Sequence, residues 1–512
     1  MTRIANAVRP RLARAASAAR PRVARLASGA SSQVGRALGA KTGTYTAVAA
    51  TAGLALAAGA VTAAGPWDST GQRTAERERA VALAPPRGAD HVDGPGRAGA
   101  PRPAPSAGPV LTGLGGATSV ARSAPDGRSF AEVLDPLLNV PALGARRGAS
   151  VVDLSTGRTL YGAGADATLT PASTTKIATA VAALSALGPD HRLTTRAAYE
   201  PDTKELVLVG GGDPTLTARE RAQGLASLRT LAARTASALK ERGVRRVTLS
   251  YDTTLYAGPE LHPIGVNENL APVTALMADE ARTDDSSSGP VPRVPDPAAD
   301  ATRTFAGLLK AHGVHTTPPG PSKATDRADT LASVSSPPVS ALVERMLTNS
   351  DNDIAEALFR HVARASGESA DFAGGSRAVT ARLKELGVPL KGAALHDGSG
   401  LNRDNRLSAG LLTALLAEAA DPDRPALRAT LTGLPVAGFT GTLSGRYTEG
   451  AAGVVRAKTG TLRGVNTLAG TVVDTDGRLL AFAFLASETP EATAAQTALD
   501  TTATALSVCG CR

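Results

Sequence analysis

Three short motifs occur in a fixed order along this 512-residue chain, and their chemistry requires the fold to bring them together. Ser-x-x-Lys begins at Ser173, Ser-Asp-Asn begins at Ser350, and Lys-Thr-Gly begins at Lys458. In this order the set supplies a serine nucleophile, a base and substrate-binding groups for acyl transfer, with no metal or cofactor required. The sequence therefore predicts a fold in which residues 173 and 458 share one site.

The spacing of Ser173 and Lys176 suits a nucleophile and its base. A serine hydroxyl needs a base to remove its proton, and residues three apart on a helix share one face. A helix is predicted here, with Thr170 as its cap, Pro171 at the first helical position and an apolar run over 177–187. Ser173 would lie in the first turn, where the positive helix end favours an oxyanion and a neutral Lys176.

Two of the motifs have a second match that fails on context. Ser237 begins another Ser-x-x-Lys, but it falls inside the helical-looking run 219–242, where backbone N–H groups already have partners. We expect Ser237 to lie on a surface or core face. Lys41 begins another Lys-Thr-Gly within a basic tail. Ser-x-Asn occurs only at Ser350, and helix capping is its alternative role.

The segments around the motifs carry a family resemblance. They are Gly-Gly-Asp-Pro-Thr-Leu at 211–216, Asp-Gly-Ser-Gly-Leu-Asn-Arg-Asp-Asn at 397–405, Gly-Thr-Leu at 441–443 and Ala-Lys-Thr-Gly-Thr-Leu at 457–462. From about residue 130 onward, the chain resembles the D-alanyl-D-alanine carboxypeptidase/endopeptidase family, the low-molecular-mass class C penicillin-binding proteins. This resemblance implies a serine DD-peptidase that removes the terminal D-alanine of peptidoglycan stem peptides. Cleavage of D-Ala–diamino acid cross-links stays open as a further activity.

The resemblance also implies a role for each residue of the motifs. Ser173 would be the acylated nucleophile and Lys176 its base, and β-lactam antibiotics would acylate Ser173 as covalent inhibitors. Ser350 would relay the proton to the leaving amine. Asn352 would hold the amide of the substrate, and Lys458 would tune the field around Ser350.

The Lys-Thr-Gly segment is predicted to lie on an edge strand that begins within 453–457. Gly460 would let the backbone of an extended substrate peptide approach closely. By the resemblance, Thr459 and Thr461 would bind the carboxylate of the departing D-alanine. The backbone N–H groups of Ser173 and Thr461 would form the oxyanion hole, where losing one donor typically costs about a hundredfold to a thousandfold in rate.

The predicted fold class is α+β, a DD-peptidase/β-lactamase-like transpeptidase fold. We expect an antiparallel sheet flanked by helices, together with a mainly helical lobe that carries Ser350. Hairpin signals at 149–161 and 467–485 and a helix-like stretch at 490–506 place strands at both ends of the catalytic region. These ends must meet if Lys458 is to lie near the nucleophile.

The interval between the first two motifs is too long for a simple lobe, so we expect an insertion, as in the family. It contains a strand-like segment at 205–209 and a helix-like segment at 298–311. The polar, Pro-rich stretch 284–297 leaves little room for a second insertion. We therefore predict a catalytic domain over 130–512, interrupted by one smaller domain at about 195–335.

The net charge of +9 arises in the N-terminal tail, because residues 1–43 contain nine cations and no acidic residue. The remainder is formally neutral, which argues against a nucleic-acid partner. Residues 44–65 lack charge and are long enough to span a bilayer. We interpret them as a membrane signal anchor or a cleaved signal, with 1–43 cytoplasmic and the body outside; a buried Ala-rich helix is the alternative. The Pro-, Gly- and Ala-rich stretch 66–129 is predicted to be a disordered linker.

No metal site is predicted. His312 and His315 lie close in sequence but lack the carboxylate and third ligand of a zinc site. His396 precedes an aspartate, and we interpret it as part of a loop bordering the site. Cys509 and Cys511 would be strained as a pair, so we expect a frayed C-terminal tail.

Two other functions remain open. One class of β-lactamase also contains Ser-Asp-Asn, but it needs a glutamate that activates the deacylating water. No convincing Glu-x-x-Leu-Asn counterpart lies between Ser350 and Lys458. A catalytically idle cell-wall-binding protein on the same fold is the other alternative, because a fold alone does not guarantee turnover.

Overall fold

The computed structural model describes residues 128–447 and 450–511. The predicted basic tail at 1–43, the anchor or signal segment at 44–65 and nearly all of the linker at 66–129 lie outside the described residues. None of the described helices combines the length and the apolar character needed to cross a bilayer.

The described strands are, in chain order, β1 Arg146–Asp153, β2 Thr159–Ala163, β3 Thr194–Glu200, β4 Glu205–Val209, β5 Arg246–Asp252, β6 His315–Thr316, β7 Gly320–Pro321, β8 Asp329–Ser335, β9 Val455–Leu462, β10 Val465–Val473 and β11 Leu479–Ser487. The described α-helices are α1 Phe130–Leu138, α2 Thr175–Leu187, α3 Leu228–Glu241, α4 Pro297–Ala311, α5 Val339–Asn349, α6 Asn352–Ala365, α7 Phe372–Glu385, α8 Ala409–Ala420, α9 Ala429–Thr432 and α10 Ala492–Val508.

A five-stranded antiparallel sheet joins the two ends of the catalytic region, in the order β2-β1-β11-β10-β9. β1 pairs with β11 over its whole length, from Arg146 opposite Ser487 to Asp153 opposite Leu480. This pairing brings the N-terminal hairpin beside the C-terminal one, as predicted. β9 is the last strand of the sheet. Residues 435–437 bond to the outer side of its first part, at 455–457, just before Lys458.

The two faces of this sheet have different side chains because strand residues alternate between faces. On β11, Phe482 and Phe484 pack in one core with α1 and α10. Ala481 and Ala483 point to the other core, which is shared with α2, α5, α6, α7 and α8. The small alanines let these helices pack closely on the sheet. The predicted antiparallel sheet with flanking helices and a mainly helical lobe is confirmed.

Residues 194–335 build a second sheet in the order β6-β5-β4-β3-β8, with β7 also paired to β5. Helices α3 and α4 pack on it around a separate core. Helix α3 begins at Leu228 and not at 219, because Ser227 accepts a hydrogen bond from the Thr230 N–H and caps the helix there. Ser237 is exposed on α3, as predicted.

The C-terminal tail is not frayed, so that prediction was wrong. Cys509 and Cys511 form a disulfide, and both are buried against the core that contains Phe482. The Cys511 carbonyl also accepts a hydrogen bond of 2.8 Å from the Arg478 guanidinium. The apolar face of α10 continues into this tail and holds it against the sheet.

Candidate active site

Ser173 lies in a short 3₁₀ turn, Ala172–Thr174, immediately before α2. The predicted capping role of Thr170 was wrong, because its hydroxyl donates to the Arg403 carbonyl instead. The two threonines of Ser-Thr-Thr-Lys close the turn. Thr174 Oγ1 donates to the Pro171 carbonyl at 2.7 Å, and Thr175 Oγ1 donates to the Ala172 carbonyl at 2.8 Å. These bonds support Ala172 at φ +48°, a conformation that L-residues seldom adopt.

Lys176 is fully buried, and its Nζ is held by three oxygen atoms. It lies 2.7 Å from Asn352 Oδ1, 2.6 Å from the Ser399 carbonyl oxygen and 3.1 Å from Ser173 Oγ. A neutral amine can donate its two N–H groups to Asn352 and Ser399. Its lone pair then points to the Ser173 hydroxyl, which is the geometry that a base requires.

Burial lowers the pKa of Lys176 to about 8, although Asp397, Glu356, Asp351 and Asp353 act in the opposite direction. At pH 7 roughly a tenth of the molecules then carry a neutral lysine, compared with less than about a thousandth for an ordinary lysine. The direction agrees with the sequence prediction. Its main cause is desolvation, whereas the sequence argument assigned it to the helix end.

The Ser-Asp-Asn motif both caps a helix and contributes to the site. Ser350 ends α5 in the left-handed conformation, at φ +58°, and Asp351 caps α6 by accepting from the Ile354 N–H at 3.0 Å. Asn352 begins α6 and reaches Lys176. Its Nδ2 donates to the Asn269 carbonyl at 2.8 Å, which fixes the amide with its oxygen towards the lysine. Within 128–447 and 450–511, the second N–H of the Asn352 amide has no partner, so it is available to a ligand.

Lys458 is fully buried on edge strand β9, and its Nζ donates to the Thr459 carbonyl at 2.8 Å. Desolvation lowers the pKa of Lys458 well below its ordinary value, and the charges of Lys176 and Arg446 add to this effect. Among the residues that the structure describes, neither Lys458 nor any other group hydrogen-bonds the Ser350 hydroxyl. Lys458 therefore does not bond Ser350 directly, and its predicted effect on the electrostatic field around Ser350 stays a prediction.

Gly460 makes room for a contact within the protein, whereas the predicted approach of a substrate backbone stays a prediction. A Cβ at this position would overlap Thr467 Oγ1 and lie 2.8 Å from the Pro171 carbonyl oxygen. Thr467 is the β10 neighbour of Gly460, and its hydroxyl donates across it to Pro171 at 2.9 Å. Gly460 thus leaves room for the bond that ties the turn carrying Ser173 to the sheet.

A cleft of about 310 Å³ lies beside the nucleophile. Its lining includes Ser173, Ser350, Asn352, Thr459 and Thr461 from the three motifs. The structure thus brings residues 173 and 461 into one cleft, with Lys176 and Lys458 buried beside it. The opposite wall comes from the block 194–335 and includes Asn269, Glu280, Arg282 and Arg293.

The sequence analysis missed the residues that support Lys176 from behind. The Glu356 carboxylate accepts from the Ser399 N–H at 2.9 Å and thereby orients the Ser399 carbonyl. Asp397 is bonded by His262 at 3.0 Å, whereas His396 is exposed. The family-like segment at 397–405 pointed to this loop. No sequence signal marked His262 or Glu356.

Two groups of buried side chains among the described residues have a spacing that could suit a cation. They are His262 with Glu356 and Asp397, and Glu280 with Asp351 and Asp353. Their ligand atoms already have protein partners. In the first group, the carboxylates accept from His262 and from backbone N–H groups. In the second group, the carboxylates pair with Arg282, Arg293 and Arg345. We assign no metal centre to either group.

Comparisons with known proteins find relatives over most of the chain. The profile of the D-Ala-D-Ala carboxypeptidase 3 (S13) family matches residues 130–289 and 285–506. Carboxypeptidase DacB of Mycolicibacterium smegmatis is 36% identical over 427 residues, which are 80% of this chain and 90% of the relative. A carboxypeptidase of Mycobacterium tuberculosis is 37% identical over 435 residues, covering 81% of this chain and 92% of the relative.

The crystal structure of penicillin binding protein 4 from Haemophilus influenzae has a similar fold. It superimposes with a TM-score of 0.59 at 22% sequence identity, covering 72% of this chain and 97% of the other. This likeness confirms the predicted fold class.

Proposed function

The chain belongs to the D-Ala-D-Ala carboxypeptidase 3 (S13) family, and from this premise we propose how its residues release D-alanine from peptidoglycan stem peptides. The enzyme is a serine-type D-Ala-D-Ala carboxypeptidase that works through an acyl-enzyme. The observation that carries our assignment of the nucleophile is the 3.1 Å contact between Lys176 Nζ and Ser173 Oγ, with the other two bonds of Nζ already occupied.

Acylation begins when neutral Lys176 takes the proton of the Ser173 hydroxyl. Ser173 Oγ attacks the carbonyl carbon between the two D-alanines, and the backbone N–H groups of Ser173 and Thr461 receive the oxyanion. The C–N bond then breaks. Ser350 gives its proton to the leaving amine and takes one from protonated Lys176, which returns the lysine to its neutral form. The free N–H of Asn352 holds the amide of the acyl half.

Deacylation repeats these steps with water in place of the serine. Lys176 takes a proton from water, the hydroxide attacks the ester carbon, and Ser173 leaves with a proton returned from the lysine. The burial of Lys176 supports both halves, because a lowered pKa lets the amine accept and return the proton near neutral pH. The products are the shortened stem peptide and free D-alanine.

The Lys-Thr-Gly strand is proposed to bind the terminal carboxylate. Thr459 and Thr461 line the cleft with hydroxyl donors, and Lys458 lies buried beneath them. A carboxylate bound above would favour the charged form of Lys458, because an opposite charge offsets the desolvation that lowers its pKa. Substrate binding would thereby restore the positive charge of Lys458, which tunes the electrostatic field around Ser350 in this proposal.

A cross-link between stem peptides has the same acyl half as the terminal D-Ala-D-Ala group. We therefore propose cleavage of D-Ala–diamino acid cross-links as a second activity of this site. β-Lactam antibiotics mimic the acyl half and would acylate Ser173, which makes them covalent inhibitors.

Peptidoglycan lies outside the cytoplasmic membrane, so the enzyme acts there. We propose that residues 44–65 direct the chain to that side as a membrane anchor or a cleaved signal, and that 66–129 is a spacer. The second sheet with its separate core supports an inserted domain at about 195–335 within a catalytic domain over 130–512.

The test uses the full chain with labelled penicillin and with a diacyl-D-Ala-D-Ala peptide. Adduct mass is followed over hours, and released D-alanine is assayed. A lasting adduct on Ser173 with D-alanine release supports the proposal, and Ser173→Ala should abolish both. Ser237→Ala is the matched control, because Ser237 belongs to the other Ser-x-x-Lys sequence and is exposed on α3. Rapid turnover of the drug would indicate a β-lactamase, and absence of both adduct and release would indicate an idle scaffold.

A further inference from the structure

One loop, residues 258–271, supports both of the oxygen acceptors that bind Lys176 Nζ besides the Ser173 hydroxyl. We call it the support loop. At its end, the Asn269 carbonyl accepts from Asn352 Nδ2 at 2.8 Å, and Asn352 Oδ1 in turn lies 2.7 Å from Lys176 Nζ. Near its beginning, His262 bonds to Asp397 in the segment that carries Ser399. The support loop thus reaches the catalytic lysine by two separate routes.

His262 is buried, and the bonds of its ring define its tautomer. Nδ1 accepts a hydrogen bond from the Ile264 N–H at 3.2 Å, so the ring proton must reside on Nε2. Nε2 then donates to Asp397 Oδ2 at 3.0 Å. His262 is therefore held as a hydrogen-bond donor to Asp397, and edge-to-face packing on Phe372 at 5.3 Å between ring centroids fixes its plane.

Asp397 organises the segment in front of it. Its carboxylate accepts from the Ser399 hydroxyl at 3.2 Å, the Gly400 N–H at 2.9 Å and the Asn402 N–H at 2.6 Å. These bonds fold the segment so that the Ser399 carbonyl lies 2.6 Å from Lys176 Nζ. The Ser399 hydroxyl and the Gly400 N–H lie on the two sides of that carbonyl, and both bind the Asp397 carboxylate. A shift of Asp397 would therefore move the carbonyl.

We propose that His262 is a positioning residue: by donating to Asp397 it holds the Ser399 carbonyl in place, and so aims Lys176 at the Ser173 hydroxyl. This inference rests on the proposed function, in which Lys176 is the base. It assigns to the block 194–335 a part in catalysis, since His262 belongs to that block and Asp397 does not.

The same bond has an electrostatic consequence. Burial alone would raise the pKa of Asp397, but hydrogen bonds from His262, Asn405 and Asn402 lower it overall, so Asp397 carries its charge. The negative field of Asp397 stabilises protonated Lys176. Asn405 and Asn402 would keep Asp397 charged when the His262 donor is lost. Its negative field at Lys176 would then lack the opposing N–H dipole of His262, and the pKa of Lys176 would rise. The other charged groups that act on Lys176 are Glu356, Asp351, Asp353 and Lys458.

The test compares three variants of the full chain. His262→Leu removes the donor but keeps an apolar contact with Phe372, His262→Gln keeps an N–H at similar reach, and Val266→Ala is the control. Val266 belongs to the same loop, and 93% of its side chain is exposed. The second-order rate of acylation by a β-lactam is measured from about pH 5.5 to about pH 10 and divided by the titrated number of active sites. Thermal unfolding is recorded for each variant.

We expect His262→Leu to lower the rate at neutral pH by about tenfold to a hundredfold, the range that a small misplacement of a catalytic group produces. The rise of its rate with pH, the acid limb of the profile, should move to higher pH. His262→Gln should recover the rate to within about fivefold and Val266→Ala to within about twofold. Should His262→Leu fail to fold, His262→Asn replaces it with the same expected shift, because its amide is one methylene too short to reach Asp397.

A purely structural role predicts a different pattern. The melting temperature and the number of active sites would fall, while the rate per active site and the acid limb stayed those of the wild type; this result would overturn the proposal. It would leave the proposed function intact, because the wild-type chain would still acylate. A wild-type chain that forms no adduct at Ser173 would instead overturn the proposed function.

Discussion

Lys176 Nζ lies closer to the Ser399 carbonyl oxygen, at 2.6 Å, than to the Ser173 hydroxyl oxygen, at 3.1 Å. The base is therefore anchored by its surroundings and not by the nucleophile. Two short bonds, to Ser399 and to Asn352, fix two directions of the tetrahedral nitrogen. The third direction is left for the proton that Ser173 gives up, so the lysine does not have to reorganise during proton transfer.

The rate of acylation should rise with pH, because only neutral Lys176 can accept the proton of Ser173. Burial lowers the pKa of Lys176 to about 8, so the rate at pH 6 should be about a hundredfold below its plateau. The measurement is the second-order rate of labelling by a β-lactam between about pH 5.5 and about pH 10. Lys176→Ala should lower the plateau rate by about a thousandfold, and its rate should no longer rise with pH. A wild-type rate that is flat across this range would contradict the assignment.

Asn352→Asp should inhibit the enzyme by charge. It places a carboxylate where an amide oxygen now lies 2.7 Å from Lys176 Nζ. An opposite charge at this distance raises the pKa of a lysine by about one unit or more, so acylation at pH 7 should fall at least about tenfold, with partial recovery at high pH. Asn349→Asp is the control, since Asn349 lines the same cleft without bonding to Lys176. Equal pH shifts in the two variants would show that the contact with Lys176 is irrelevant.

Gly460→Ala should damage the nucleophile turn. The added methyl group would displace the Thr467 hydroxyl, which bridges Gly460 to bond the Pro171 carbonyl. We expect a loss of about 1–3 kcal/mol in the free energy of unfolding, as for other overpacked sites, together with slower acylation. Gly307→Ala on α4 is the counterpart, because its Cβ would meet open space and should stabilise the helix by about 0.5–1 kcal/mol. Urea unfolding and penicillin labelling measure both effects, and an unimpaired Gly460→Ala variant would exclude this role for Gly460.

The sequence predicted the parts of the site that local patterns encode. Ser173 and Lys176 are three residues apart, so their contact follows from helical geometry alone. The hairpin signal at 467–485 likewise located β10 and β11, and β10 is the strand that pairs with the edge strand carrying Lys458. His262 and Glu356 could not be predicted in the same way. Their roles come from contacts with the distant segment around Asp397, and no periodicity distinguishes a histidine that meets such a partner from one that does not.

Gly460 shows a second limit of sequence reasoning. A glycine in a strand indicates that another group approaches the backbone closely, and the sequence analysis assigned that approach to a substrate peptide. What approaches could not be read from the sequence, because Thr467 and Pro171 come from two other elements. The same limit applies to Cys509 and Cys511, which were predicted to lie in a frayed tail. Their burial depends on how α10 packs, and the sequence does not show that packing.

The stability of the fold should depend on His361, which lies buried on α6 with no hydrogen-bond partner for Nε2 among the described residues. Burial lowers the pKa of His361 from 6.5 to about 4. Between these values the unfolded chain binds the proton and the folded chain does not, so protonation favours unfolding as the pH falls. The loss of stability is absent above pH 6.5 and grows by about 1.4 kcal/mol for each pH unit below it, reaching about 3 kcal/mol near pH 4.

His361→Gln should remove this dependence. Asp213 acts in the opposite direction, because burial raises its pKa from 3.8 to about 6, but it is present in both proteins and its contribution cancels in their difference. Urea unfolding at several pH values between about 4.5 and about 7.5 gives that difference. Wild type should lose more stability than His361→Gln as the pH falls, with exposed His312→Gln as the control for loss of a histidine. Parallel stability curves for wild type and His361→Gln would mean that His361 is not kept neutral by the fold.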